Sequence, residues 1–195
     1  MIASFLEDAA HFPGGFAAGV ATPTSEAEIA ALVRAAASML PIGAQSSLTG
    51  GATPRGEVVL STSRLNRILA SGDDWIRVEA GVTLVDLDLA LAKIGKHYPP
   101  APTFTGAFAG GVVATNAAGA ATFKYGTTRE WVSALTIVLR TATSSTSSAD
   151  RRLRIPTDTS RSFSPIESLG CLCRDTGCRT CPRPRPDISP RRAWI

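Results

Sequence analysis

The chain has 195 residues, with 20 Lys and Arg against 16 Asp and Glu and a formal net charge of +4 at pH 7. That excess is local: residues 1–140 carry 10 basic and 11 acidic side chains, whereas residues 141–195 carry ten arginines against five acids. The near-neutral body excludes the basic footprint of a nucleic-acid-binding domain, and the four cysteines, all beyond residue 170, exclude a disulfide framework or thiol chemistry within it.

The length suits one domain with an appendage. Met1–Asp8 lacks a basic stretch followed by an apolar core and does not read as a secretory signal. Pro23-Thr-Ser25-Glu-Ala-Glu28 has the pattern of a capping box, with the Ser25 hydroxyl facing the Glu28 amide and the Glu28 side chain reaching back. Ile29, Leu32, Val33 and Ala36 follow at helical spacing, which predicts an amphipathic helix to about Ser38. Met39–Ile42 is a short apolar run, and Glu57–Ser61 and Trp75–Glu79 read as strands, rich in β-branched residues and bounded by Gly or Asp turns.

Thr83-Leu-Val-Asp86 is a second N-cap signature, leading a Leu/Ala-rich helix through Leu87, Leu91 and Ile94 to a stop at Gly95. A Pro-rich connector, Pro99–Pro102, precedes a stretch predicted to open a short helix, and Trp131–Leu139 alternates like a further strand. Helices and strands alternating at these lengths predict an α/β or α+β sheet protein. Ala107–Ala121 is weakly apolar but contains Thr115 and Asn116; it is too short and too polar to cross a hydrocarbon core of about 30 Å. A soluble, cytoplasmic body is the expectation.

Two stretches carry chemistry: Pro41-Ile-Gly-Ala-Gln-Ser-Ser-Leu-Thr-Gly-Gly51 and Gly110-Gly-Val-Val-Ala-Thr-Asn-Ala-Ala-Gly119. Glycine permits φ > 0 and brings no Cβ into a ligand's space, so such loops suit backbone amides closing on an anion, with pyrophosphate the obvious candidate. Taken alone, the first is equally a strand-to-turn connection and the second a small-residue helix packed on a sheet. The first is not a P-loop, because the Gly-Lys-Ser/Thr ending is missing. No Gly-x-Gly-x-x-Gly opens a helix after a first strand, which disfavours a nicotinamide site. Thr115 and Asn116 fit either a ligand or the motif's own backbone, and Lys124-Tyr-Gly126 fits a plain turn.

Together and in order, these blocks resemble the FAD-binding domain of the vanillyl-alcohol oxidase/PCMH flavoproteins, especially the D-lactate dehydrogenase and glycolate oxidase branch. The resemblance rests on Pro41–Ala52, Val58–Ile68, Val78–Thr83, Pro102-Thr103, Gly110-Gly111 through Asn116, Gly119 and Lys124–Gly126, and covers about residues 20–140. It implies an α+β fold of two subdomains with FAD between them, of which residues 1–140 supply the first and the start of the second. It implies that Ile42, Gly43, Ala44, Gln45, Ser46 and Ser47 cradle the pyrophosphate. Pro102, Gly110, Gly111, Thr115 and Gly119 would line the cofactor's path, and Tyr125 and Gly126 close a neighbouring turn. Some relatives attach the flavin to a histidine of the first loop. Gly43-Ala-Gln-Ser46 has none, so non-covalent FAD is expected. In the intact family the partners are a small 2-hydroxy acid or related alcohol and an electron acceptor. The catalytic base would lie in a later domain, and no catalytic residue is assigned. His11 and His97 fall outside the matched blocks, and Arg129-Glu130 fits an exposed pair or a substrate clamp.

After Arg140 the sequence changes character. Thr141–Ser148 is nearly all Ser and Thr, and neither a period of 2 nor one of 3.6 can be followed beyond it. Cys171-x-Cys173-x4-Cys178-x2-Cys181 invites a zinc reading, but the spacing is irregular and the surroundings are Arg and Pro, so no metal is assigned. A frame-shifted translation fits better. If each codon takes the last base of one and the first two of the next, Ala142–Asp150 is compatible with DVLDIERG. Pro156–Phe163 is compatible with PDGYFEIV, and Pro182–Ile195 with KTSAGYFAAPGMD. After Arg140 the shifted reading starts DGDVLDIERG, which resembles how the family continues. Residues 141–195 are therefore expected to be a non-native or disordered tail on an incomplete FAD-binding domain with weak or no activity. The alternative is a small nucleotide-binding module whose Cys/Arg-rich tail binds zinc or a partner.

Overall fold

The computed structural model describes residues 3–139 and 144–146. The cysteine cluster, and all of the expected tail except Ser144–Thr146, lie outside the described residues. The architecture is α+β. Strands β1 (Gly19–Ala21), β2 (Met39–Ile42) and β3 (Val58–Ser61) form a parallel sheet in the order β1-β3-β2, with Val59 opposite both Val20 and Leu40. Parallel strands of one sheet need a long return connection. Helix α1 (Glu26–Ala35) provides it between β1 and β2, and the first glycine stretch lies in the connection from β2 to β3. The central strand β3 is the most buried: Val59, Leu60 and Ser61 are all 4% exposed or less.

Two antiparallel pairs complete the strands. β4 (Ile68–Ser71) pairs with β5 (Ile76–Val78) with a register shift between Ile68 and Ala70, and β6 (Thr136–Val138) pairs with β7 (Ser144–Thr146). Helix α2 (Leu84–Ala92) supplies three side chains to the main core: Leu84, Leu87 and Leu91, at helical spacings of three and four, are all buried. They pack with Ile76, Val82, Tyr98, Ala107, Val112 and Trp131. Val112 comes from the short helix α3 (Ala109–Ala114), so the second glycine motif is seated directly on this core.

The two predicted caps are present. Ser25 Oγ accepts from Glu28 N–H at 3.3 Å, and Thr83 Oγ1 accepts from Asp86 N–H at 3.1 Å. Glu28 reaches one residue further back than a capping box requires, accepting from Thr24 N–H at 2.8 Å. Helix α1 stops at Ala35, three residues short of the expected Ser38, because Ala36 turns extended. Gly95, at φ +68°, ends α2 as expected, with the Lys96 amide folding back on Leu91 O at 2.9 Å.

The strand expected over Trp131–Leu139 is shorter. Trp131 closes a 3-10 turn (Thr128–Trp131) that buries its ring in the core, and pairing begins only at Thr136. Lys124-Tyr125 ends a one-turn helix, α4 (Thr122–Tyr125), rather than forming a plain turn. β1 and β4 carry no clear sequence signal. All four residues of β4 are exposed, so no apolar alternation marks it.

Candidate functional site

The first glycine loop leaves the carboxyl end of β2, the edge of a parallel sheet where ligands commonly bind. Its root is held by Ile42, buried at 3% exposure, whose carbonyl accepts from both Thr62 N–H and Thr62 Oγ1 at 3.1 Å. Beyond Gly43, the backbone amides of Ala44, Gln45, Ser46 and Ser47 donate to no acceptor among the described residues. Gln45 adopts φ +53°, and alternation into the left-handed region turns successive amides toward a common point, a concavity suited to an anion. The Gln45 side chain, however, is turned away: its Nε2 donates to Glu7 O at 2.7 Å. Ser47 Oγ shares a hydrogen bond with Thr49 Oγ1 at 2.9 Å, while Ser46 is exposed.

The second motif is tied to the turn that precedes α2. Ala109 N–H donates to Val82 O and Gly110 N–H to Ala80 O, both at 2.8 Å, so two of the first amides of α3 are already engaged. Gly110 is needed for that contact, since a Cβ there would lie 2.7 Å from Ala80 Cβ. Gly119 has a similar reason: a Cβ would collide with the Ala101 carbonyl and sit 3.2 Å from Pro102 Cα. These two glycines are thus accounted for by packing, and Gly119 brings Pro102 beside the motif. Thr115 Oγ1 donates to Gly111 O at 2.8 Å, and Asn116, at φ +49°, accepts from Arg129 N–H at 2.8 Å. The Thr115 side chain thus serves the motif's own backbone, and the Asn116 side chain ties the motif to the turn at Arg129.

Gly43 and Gly111 behave differently. A Cβ at Gly43 would lie 3.5 Å from Phe108 Cβ and 3.9 Å from Gly111 Cα, so the two glycine loops meet here. A Cβ at Gly111 would meet nothing within 4 Å, and neither residue has a positive φ. Neither internal packing nor backbone conformation requires glycine at 111.

Tyr125 forms one flank of the second motif. Its ring meets Trp131 edge-on at 6.5 Å and His97 at 6.4 Å, Lys124 Nζ sits 4.8 Å from its centroid, and Trp131 Nε1 donates to its carbonyl at 2.9 Å. Gly126, at φ +75°, leaves no room for a side chain beside the Glu130 carboxylate. Arg129 and Glu130 are both exposed, as the bland reading of that pair expected. Sequence reasoning missed three supports: Tyr98 and Thr128, buried together behind Tyr125, and Asp8, buried beneath the first loop. Their types are ordinary and their partners distant in sequence, so no local signal marks them. Among the described residues no group of His, Cys, Asp and Glu could hold a metal, and no helix is long and apolar enough to cross a membrane.

Residues 17–147 match the family described as the FAD binding domain. The chain belongs to this family. Its cofactor is FAD, and the resemblance in the glycine blocks is borne out. The chain is 40% identical over 125 residues to a D-lactate dehydrogenase of Anaerostipes hadrus, covering 60% of this chain and 26% of the relative. It is 37% identical over 126 residues to a D-lactate dehydrogenase of Archaeoglobus fulgidus, covering 62% and 28%. Among solved structures, an alkyldihydroxyacetonephosphate synthase superposes with a TM-score of 0.58 at 25% identity, over 63% of this chain and 27% of that one. The chain thus spans about a quarter of the length of the relatives it matches. At the junction of the two loops, the amides at 44–47 have no acceptor among the described residues and the space at Gly111 is open.

Proposed function

We propose that this chain is the FAD-holding part of a flavin-linked oxidoreductase that acts on a small 2-hydroxy acid or a related alcohol and passes electrons to an acceptor. The carrying observation is the meeting of Gly43 and Gly111, one glycine from each loop, with open space on the Gly111 side. The amides of Ala44–Ser47 would take the pyrophosphate, with Ile42 as their buried root and the exposed Ser46 hydroxyl as a further donor. Pro102 and Gly119 would form the wall beyond Gly111, and Tyr125 and Gly126 the turn that closes it. Gly110 and Thr115 hold the second loop in shape from behind. Bound FAD supplies the electron acceptance; the protein's part is to hold it and to exclude water from the junction. The substrate class follows from the names of the relatives.

The cofactor is held non-covalently in this reading, since Gly43–Ser46 contains no histidine to carry the flavin. A cytoplasmic setting belongs to the same reading. Residues 141–195 are, on this proposal, non-native sequence appended to the domain of residues 1–140, although Ser144–Thr146 pairs with β6 and the family match runs to residue 147, and the polypeptide alone turns over weakly or not at all. The nucleotide sequence across codon 140 tests the tail: an uninterrupted frame encoding the same cysteine cluster in an expressed gene overturns that part.

The test of the cofactor is direct. Purified protein titrated with FAD is expected to develop flavin absorbance and to release all of it into the filtrate after heat denaturation. Flavin retained on the polypeptide would overturn the non-covalent reading. Colourless protein that ignores FAD but carries stoichiometric zinc would favour a metal-binding module instead.

A further inference from the structure

The first glycine loop is gripped from behind by a segment that lies before the family match, which begins at residue 17. Ala9 N–H donates to Gln45 O at 2.9 Å, and Gln45 Nε2 donates to Glu7 O at 2.7 Å, so the left-handed residue of the loop is held on both sides by the same short segment. Between these two bonds sits Asp8, 3% exposed. One of its carboxylate oxygens accepts from Ala10 N–H at 3.1 Å and the other from Ala52 N–H at 3.4 Å, so it closes the segment on itself and ties it to the far end of the loop. Further along, the Phe12 ring lies against Gly50, where a Cβ would come within 3.1 Å of it, and the Arg55 guanidinium stacks over that ring at 5.1 Å.

We propose that residues 6–12 form a strap that holds the first glycine loop in its cofactor-receiving shape, with Asp8 as the positioning residue. The proposal rests on the FAD reading above and adds to it a segment outside the matched domain. The physical reason is preorganisation. Four amides without internal acceptors are a good anion site only while their carbonyls are kept turned away, and a long connection between two strands does not do this by itself. The bonds at Gln45 fix the peptide plane that follows its positive φ and anchor its side chain. Asp8 then ties the strap to Ala52, so the loop is held at two points rather than one. Asp8 touches no cofactor; it acts through Gln45 and Ala52.

The test compares wild type, Asp8→Ala and Asp8→Asn in the full chain by FAD titration, read as quenching of flavin fluorescence and as visible circular dichroism of the bound flavin. Asp8→Ala is expected to weaken FAD binding at least tenfold. Asp8→Asn, which can keep only one of the two acceptor oxygens and turns an amide NH2 toward the other N–H, is expected to weaken binding at least threefold. Far-UV circular dichroism of the apo forms checks that each variant is folded. A second measurement needs no variant: cleavage after Glu7 by a glutamate-specific protease, its side chain being 57% exposed, is expected to slow several-fold when wild type is saturated with FAD. Asp8→Ala binding FAD like wild type, Asp8→Asn binding as tightly as wild type, or cleavage unchanged by FAD would each overturn the strap while leaving the FAD reading intact. A wild-type chain that does not bind FAD overturns both.

Discussion

The Tyr98 hydroxyl and Thr128 Oγ1, 30 positions apart in sequence, share a hydrogen bond of 2.6 Å in the buried core, and Thr128 Oγ1 also donates to the Ala117 carbonyl. Tyr98 thus ties the end of the α2 hairpin to the return of the second glycine motif. Burial pushes the Tyr98 phenol above its ordinary range, partly opposed by the Thr128 hydrogen bond. A phenol whose folded pKa is raised contributes stability that is fully present below the unfolded value of about 10 and is lost as pH rises through the folded value. Wild type is therefore expected to lose stability steeply above about pH 10, and Tyr98→Phe to flatten that dependence in urea melts. Near pH 7, Tyr98→Phe should cost about 0.5–1.5 kcal/mol for the lost bond. Thr128→Val, which strands the Ala117 carbonyl as well, should cost about 1–3 kcal/mol.

The glycines of the second motif divide by what they touch, and alanine substitutions separate the two kinds. Gly119→Ala drives a methyl into the Ala101 carbonyl, and Gly110→Ala drives one against Ala80. Both are expected to destabilise the apo protein by about 1–3 kcal/mol, the usual range for overpacking. Gly111→Ala meets open space and sits in α3, where alanine gains up to about 1 kcal/mol over glycine. It should fold as well as wild type or better, yet bind FAD at least tenfold more weakly, because the methyl occupies space assigned to the cofactor. Thermal melts without FAD and titrations with it read the two effects separately. Unchanged FAD affinity in folded Gly111→Ala would remove the cofactor from that space.

The pairing of Glu79 with Arg67 makes an acid-side prediction. Glu79 accepts from Arg67 Nε at 3.0 Å, from its terminal nitrogen at 2.7 Å and from its backbone amide at 2.8 Å, which closes the open end of the β4–β5 hairpin. The Arg67 side-chain hydrogen bonds hold the Glu79 carboxyl below the usual carboxylate range. A lowered folded pKa contributes stability that is present above the unfolded value and is lost as pH falls through the folded one. Glu79→Gln is expected to melt earlier than wild type at pH 7, with the difference closing as pH drops below 4. A gap that persists at pH 3 would assign the effect to shape rather than charge.

Much of the local structure was legible because it is written in short-range chemistry. Ser25 and Thr83 mark helix starts, since a hydroxyl there meets an orphan amide three residues on. Gly95 marks a stop for the same kind of local reason. Trp131 misled the reading of its neighbourhood: its apolar bulk suits a strand, but its indole N–H found the Tyr125 carbonyl and the ring went into the core from a 3-10 turn. β4 was invisible because pairing with β5 through backbone bonds asks nothing of its exposed side chains.

The order and spacing of the glycine-rich blocks carried the resemblance to an FAD-binding family, because residues without Cβ recur there at particular places in the chain. What only the tertiary structure decided is the division of labour among those residues. Gly110 and Gly119 answer to neighbouring backbone, Gly111 faces open space, and Gln45 turns its side chain away to hold a segment near residue 8. Sequence shows that a side chain is absent or polar. Which atoms occupy the space around it depends on contacts between residues tens of positions apart, and these exist only once the chain has packed.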